Sequence, residues 1–488
     1  MTEETNRPVV LLFVWEAARE HVLAAGLVGL VLEYCGGRPV FILCDASLTA
    51  CEHPGENDPA VCAGCTFTSI STLVQLGFSE VIPARSLLKS GEKEALIEEL
   101  SCLGYAELLR SRIADLPLSE LIDYSLRNHL RVEIPPVSTP ALPLWRRYAA
   151  AARIQELVTA RVFERYRPRG VFMLNAASFS KRIVFEMARE AGIRALTQEW
   201  HGPARKISLQ ADQIVRLYGF DDQPFEDIPF SDEDYQKARA EFETRVVLVQ
   251  GKNQSVPGST LPAELLSKYD RVISLYPSLG WELLPQGPIR AFHDQLDWIQ
   301  SAIEYAQLHP NFLLVIRTHP SEVRLRDYPS AESVADRILC RWPVLPSNVL
   351  LVRPEERLDS YELMRASDVV LVHSSTVGIE ASCLGTPAVV TADIYFRGKG
   401  FTFDVLRRRD FDGVVDRAIQ AGGLTEEQTR AAFKMLYLRV IGVASCFFEL
   451  PHLVRGTMND LPGSTEARKL GPGDARLALP SVEAFEEA

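Results

Sequence analysis

Two apolar runs in the second half of the chain stop abruptly at residues able to hold an anion: Phe312-Leu-Leu-Val-Ile-Arg-Thr-His-Pro320 and Asp368-Val-Val-Leu-Val-His-Ser-Ser-Thr-Val-Gly-Ile-Glu380. Val369 to Val372 reads as a buried strand, His373-Ser-Ser as a turn, and Thr376 to Leu384 as a helix. The helix's first N–H groups and positive dipole end would then face the carboxyl edge of a parallel sheet. Such a strand-to-helix corner suits a phosphate or a nucleotide. The hydroxyls of Ser374, Ser375 and Thr376 can wrap an anion without a bulky side chain in its way. His319 can donate to the same group, and Pro320 fixes the turn. A second cluster, Cys44, Cys51, Cys62 and Cys65 with His53 nearby, contains a Cys-X-X-Cys spacing that suits a tetrahedral thiolate site. A structural zinc there would stabilise a loop with little regular structure; the plainer reading is reduced thiols packed as small apolar groups.

Strand-helix-strand grammar positions these residues. Val9 to Val14 reads as a buried strand, Ala17 to Tyr34 as a helix ending before Gly36-Gly37, and Pro39 to Cys44 as the next strand. Residues from about 87 to 166 turn helical and amphipathic, with a proline-rich joint at Pro135 to Pro143, and read as a helical insertion. The grammar resumes at Gly170 to Leu174, Lys181 to Ala191 and Arg194 to Thr197. The acidic, proline-containing stretch Asp221 to Pro229 is the expected joint between halves. A second α/β domain opens at Arg271 to Tyr276 and continues through a helix at Gln295 to Leu308, the two corners, and Pro387 to Thr391. The expected boundaries are 1–230, 231–456 and a loose tail at 457–488, rich in Gly, Pro, Ala and Glu.

Composition narrows the function classes. A chain of 488 residues with 47% apolar and 24% charged residues fills two or three ordinary globular domains. A formal net charge of −12 argues against nucleic acid as a partner, because phosphate neutralisation needs a basic face. The N-terminus begins acidic and polar, unlike a signal peptide, and the apolar run Val22 to Leu32 falls short of the roughly 20 residues of a membrane span. The expected place is the cytoplasm, where the nine cysteines stay reduced or bind metal.

Two such domains on a short linker make the GT-B architecture: α/β, two Rossmann-like doubly wound domains facing a central cleft. The ordered set Tyr276-Pro-Ser-Leu-Gly-Trp-Glu282, Arg317-Thr-His-Pro320, Ser360-Tyr-Glu-Leu-Met364, Ser374-Ser-Thr-Val-Gly-Ile-Glu380, Gly385-Thr-Pro387 and Tyr395-Phe-Arg-Gly-Lys-Gly400 resembles the donor half of bacterial capsule and surface-polysaccharide glycosyltransferases. That group includes Kdo transferases and, more distantly, GT-B sialyltransferases. The resemblance covers roughly residues 270 to 405 and implies that Ser278, Arg317, His319, Pro320, Ser374, Ser375, Thr376, Glu380 and Arg397 bind the nucleotide of a nucleotide-sugar donor. In that role Glu380 would accept from the ribose hydroxyls, while Arg317, Arg397 and Lys399 would balance the leaving nucleotide's charge.

Transfer to a hydroxyl needs a general base near the acceptor oxygen, which this architecture takes from strand ends of the N-terminal domain. Glu16, Glu199 and His201 are the candidates, with Glu20, His21 and Asp45 beside them. The Asp-X-Asp matches, Asp232-Glu-Asp234 and Asp410-Phe-Asp412, fall at helix starts and read as caps, which points to transfer without a metal cofactor. The expected activity is transfer from a nucleotide sugar, such as a CMP-activated acidic sugar, to a glycan or glycolipid acceptor, in peripheral contact with membrane-bound polysaccharide machinery. The alternatives are a nucleotide-sugar epimerase of the same architecture and a catalytically inactive assembly subunit.

Overall fold

The computed structural model describes residues 7–15, 19–51, 58–201, 206–214, 224–252, 260–282, 291–324, 330–440 and 448–449. The chain divides into two units: unit 1 takes Met1–His129, Pro135–Tyr218 and Gly442–Ala488, and unit 2 takes Leu130–Ile134 and Gly219–Ile441. The backbone of unit 1 is organised around β1 (Val9–Val14), an unbroken apolar run buried on both faces as parallel sheets require. It leads through α1 (Arg19–Tyr34) to β2 (Arg38–Leu43), paired in parallel from Val9 opposite Arg38 to Val14 opposite Leu43. Next come α2 (Pro59–Gln75) and β3 (Val81–Pro83). The helical insertion then forms α3 (Glu92–Ser101), α4 (Tyr105–Arg110), a hairpin of β4 (Arg112–Ile113) and β5 (Leu116–Pro117), α5 (Leu118–Leu130) and the long α6 (Leu142–Tyr166). After it follow β6 (Gly170–Leu174), α7 (Phe179–Glu190), β7 (Arg194–His201) and β8 (Lys206–Ala211).

The sheet order in unit 1 is β15-β8-β7-β6-β1-β2-β3, where β15 is Phe448–Glu449; β8 and β15 are its antiparallel edge. Winding proceeds outward from β1 in one direction and from β6 in the other. Helices α1 and α2 therefore cover one face, with Val22, Val28 and Leu73 against Leu12 and Val14. Helices α6 and α7 cover the opposite face, with Ile154, Val158 and Val184 against Leu11 and Phe13. The reversal between β1 and β6 is the topological switch point of this sheet.

Unit 2 repeats the scheme. Its elements are α8 (Asp232–Lys252), α9 (Ala263–Leu266), β9 (Arg271–Tyr276), α10 (Gln295–Leu308), β10 (Phe312–Arg317), α11 (Ser321–Arg324) and α12 (Val334–Arg341). They continue as β11 (Val349–Val352), α13 (Ser360–Arg365), β12 (Val369–Val372), α14 (Val377–Cys383), β13 (Ala388–Val390), β14 (Thr402–Asp404), α15 (Phe411–Ala421) and α16 (Glu426–Val440). All six strands are parallel in the order β11-β10-β9-β12-β13-β14, so the switch point lies between β9 and β12. Residues of α10, α12 and α15 cover one face and residues of α8, α14 and α16 the other. Each unit is thus a Rossmann-like, doubly wound α/β body, and the helical insertion lies in unit 1 except for Leu130–Ile134. Among the described residues no helix is long and apolar enough to cross a membrane.

Four details differ from the sequence reading. The division falls at Tyr218 and Gly219, not at 230, and the chain after Ile441 belongs to unit 1, where β15 pairs with β8. The first three residues of the expected joint, 221–223, and all of the expected tail, 457–488, lie outside the described residues. The stretch carrying Cys62 and Cys65 is not a loop but the start of α2: the Asp58 carboxylate accepts the Ala60 N–H at 2.8 Å and Pro59 takes the first helical position. Lastly, Leu130–Ile134 is embedded in unit 2 as a strap. Arg131 lies over the Trp281 ring at 4.1 Å, its carbonyl accepts the Ala331 N–H, and Glu133 is paired with Arg337.

The strap packs so closely on Gly280 that a Cβ there would sit 2.8 Å from the Glu133 Cβ and 3.2 Å from its Cα. Gly280→Ala should therefore lower the stability of unit 2 by about 1–3 kcal/mol, the usual cost of overpacking. Denaturant titration followed by tryptophan fluorescence measures it, and an unchanged midpoint would show that the strap yields without cost.

Candidate functional site

The switch point of unit 2 brings together two loops that the sequence places far apart. Ser278 follows β9, Ser374 follows β12, and their hydroxyl oxygens are 3.5 Å apart. Ser278 is held rigidly: its N–H donates to Gln295 Oε1 at 2.8 Å, and its carbonyl accepts from Gln295 Nε2 at 3.1 Å. Gln295, the fully buried first residue of α10, in turn donates its own N–H to Glu133 Oε1 at 2.7 Å. The strap therefore supports the clamp that positions Ser278. On the other strand, His373 is buried, its Nδ1 lies 2.8 Å from Thr391 Oγ1, and its ring stacks on Trp298. Burial lowers its pKa to about 4, so the imidazole is a neutral spacer behind Ser374.

The corner presents hydroxyls more than helix N–H groups. Helix α14 is only seven residues long. Its first amides are already engaged: Val377 N–H donates to Ser375 Oγ, Gly378 N–H to the Ser375 carbonyl, and Ile379 and Glu380 N–H to the Thr376 carbonyl. Thr376 is exposed beside them. On the neighbouring strand, His319 Nδ1 accepts the Ser321 N–H at 3.1 Å, which leaves the proton of the neutral ring on Nε2. Pro320 begins the turn into α11.

Three residues expected to touch a nucleotide serve the fold. Arg317 is 3% exposed and donates to the carbonyls of Thr318, Arg353 and Glu356, tying β10 to the loop after β11. Arg397 donates to the carbonyls of Ala392 and Val405. Glu380 points into the core: Arg245 Nη2 lies 2.9 Å from its Oε1, and Tyr361 also bonds to it. Burial raises the Glu380 pKa, with Arg245 and Tyr361 opposing. Lys399 stands over the Phe225 ring at 5.8 Å.

In unit 1, Glu199 on β7 accepts from Asn175 Nδ2 at 3.0 Å, in the loop after β6. Glu16 and the His201 side chain lie outside the described residues. Asp45 is 3% exposed and bound by Arg85 at 2.6 Å, which removes it as a base candidate. Cys44 stands near Cys62 and Cys65, and burial pushes its thiol up to about 12. Among the described residues no three His, Cys, Asp or Glu side chains gather to hold an ion, so the expected zinc set of Cys44, Cys51, Cys62 and Cys65 is not assembled. With Cys62 and Cys65 on a capped helix, the segment has its own structure without a metal.

No family model matches the chain, and no curated protein matches it. Among solved structures it is similar to the KpsC beta Kdo 2,4 transferase of Thermosulfurimonas dismutans, at 14% identity over 55% of this chain and 79% of that one, with a TM-score of 0.33. The beta Kdo 2,7 transferase of the same KpsC gives 13% identity, 64% and 87% coverage, and a TM-score of 0.34. The UDP-GlcNAc 2-epimerase from Neisseria meningitidis bound to UDP-GlcNAc gives 11%, 89% and 99%, and 0.26. Similarity this remote leaves function to be argued from the residues themselves.

Sequence reasoning missed Glu133, Gln295 and Glu322. The third follows the His-Pro corner: it is 2% exposed, and both its oxygens lie within 3.3 Å of the Val334 N–H at the start of α12. Burial raises its pKa from 4.5 to about 7. A folded-state pKa above the unfolded one means stability that is present below pH 4.5 and lost as pH rises toward 7. Glu322→Gln should flatten that slope and stabilise the protein by about 3 kcal/mol above pH 7; an unchanged pH profile of denaturant midpoints would exclude Glu322 as its source. For Glu380→Ala the expected loss is about 3 kcal/mol, the low end for a broken buried pair, since Arg245 keeps 36% of its side chain exposed. Unaltered stability combined with lost nucleotide binding would restore Glu380 to the ribose.

Proposed function

We propose that the chain is a glycosyltransferase that takes a sugar from a nucleotide-sugar donor and that unit 2 holds the donor's nucleotide. The observation that carries this reading is the pair of hydroxyls, Ser278 and Ser374, set 3.5 Å apart at the switch point of a fully parallel sheet. Ligands of open α/β sheets bind where the winding reverses, outside the carboxyl ends of the strands. Two serine hydroxyls from different strands, with Thr376 exposed beside them, offer several hydrogen bonds in little space, which suits phosphate oxygens. His319, whose Nδ1 accepts the Ser321 N–H, adds Nε2 as a donor of the same kind.

With Arg317 and Arg397 bound to carbonyls, the leaving nucleotide would be stabilised by hydroxyl and imidazole donors. The Asp-X-Asp matches support transfer without a metal ion in the donor site: Asp234 completes the cap of α8, donating its N–H to Ser231 Oγ and accepting from the Ser231 N–H and hydroxyl, and Asp412 lies in the first turn of α15. A CMP-activated acidic sugar and a surface glycan acceptor are the finer form of the proposal, resting on the motif set from Tyr276 to Gly400.

Calorimetric titration with CMP, CDP, UDP and GDP tests it. One nucleotide should bind the wild-type chain, and Ser278→Ala and Ser374→Ala should each weaken it about fivefold to tenfold, as the loss of a hydrogen bond worth about 1 kcal/mol predicts. If none of the four binds the folded wild type, the donor-site reading fails. Turnover of a bound nucleotide sugar with no acceptor present would make the protein an epimerase instead.

A further inference from the structure

The switch point of unit 1 gathers buried polar atoms that the fold does not use. Helix α1 begins at Arg19, and Ser178 stands at the N-cap position of α7; both start beside the ends of β1 and β6, where the sheet's winding reverses. Ser178 is 6% exposed, yet its hydroxyl makes no capping bond and finds no partner among the described residues. The same holds for Nε and Nη2 of Arg19 and for Nδ1 of His21, each fully buried as an atom.

One hydrogen bond and one electrostatic influence place Gln198 and Lys181 near His21. Gln198, 1% exposed on β7, donates from Nε2 to the His21 carbonyl at 3.5 Å, while its Oε1 stays buried without a described partner. Lys181, 6% exposed in the first turn of α7, is close enough to His21 to help depress its pKa, after burial itself, to about 4. Glu20 acts on His21 in the opposite sense but more weakly. The loop between β6 and α7 turns through Ala176, a buried non-glycine residue at φ 51°.

Leaving a buried donor unpaired costs about 1–3 kcal/mol, so several together call for a ligand. The donors are mostly cationic or stand at helix N-termini, and that electrostatic pattern selects an anion. We propose that the switch point of unit 1 binds the oxyanion of a small ligand, a phosphoryl or carboxylate group, through Arg19, Ser178 and Lys181, with Gln198 Oε1 accepting from an adjacent ligand hydroxyl. This site is separate from the nucleotide corner of unit 2 and stands whether or not that corner takes a nucleotide.

The full chain is titrated calorimetrically with inorganic phosphate and, separately, with glucuronate, against chloride at equal ionic strength. Saturable binding of phosphate alone identifies a phosphoryl ligand, and binding of glucuronate alone a sugar carboxylate; either supports the site. Arg19→Gln and Ser178→Ala should each weaken that binding at least fivefold while leaving the melting temperature within a few degrees. Binding of neither anion, or undiminished binding in both variants, overturns the proposal. Nucleotide titration of the same variants separates the two readings: unchanged affinity with lost phosphate or glucuronate binding leaves the unit 2 corner standing.

Discussion

A parallel sheet buried on both faces must have helices above and below it, and that requirement governs everything else in this protein. A strand such as β1 or β9 can be followed by a helix on only one face, so covering both faces forces the chain to reverse its winding. At the reversal adjacent helices depart to opposite sides and the carboxyl ends of two strands are left uncovered. Both units have this opening, and both place their chemistry-bearing residues at it. Ser278 and Ser374 stand there in unit 2; Arg19, Ser178 and Gln198 stand there in unit 1.

The two openings are finished differently. In unit 2 the start of α10 is already satisfied: the Glu133 carboxylate takes the Gln295 N–H, and Asp294 caps the Asp297 N–H. The polar groups beside that helix end are neutral hydroxyls and an imidazole. In unit 1 the corresponding helix starts carry cationic side chains and an uncapped serine. Similar folds thus yield one opening lined by neutral hydroxyls and another whose helix starts carry cationic side chains.

Legibility in the sequence followed the range of the interactions involved. Strands β6 and β9 and helix α10 match their expected limits, because their apolar runs are bounded by Gly, Pro or polar residues that act locally. The serine corner was legible for the same reason. The role of Glu380 was not, since its position early in α14 says nothing about Arg245 on α8, the distant partner that draws it into the core. Arg317 was expected at the nucleotide through the resemblance of its motif, yet three backbone carbonyls accept its N–H groups. Asp58-Pro59 is an adequate helix start on its own, whatever the cysteines that follow it.

The strap Leu130–Ile134 also constrains how the molecule can be made. Unit 2 contains a piece translated within unit 1, and unit 1 contains β15, translated after unit 2. Neither unit is therefore a continuous stretch of chain, and synthesis from the ribosome cannot complete the first before the second has emerged. Glu133 is available early and waits for Gln295 and Arg337, so the serine corner acquires its support only when both halves of the sequence are present. A gene split anywhere between them would separate the carboxylate from the amide it binds.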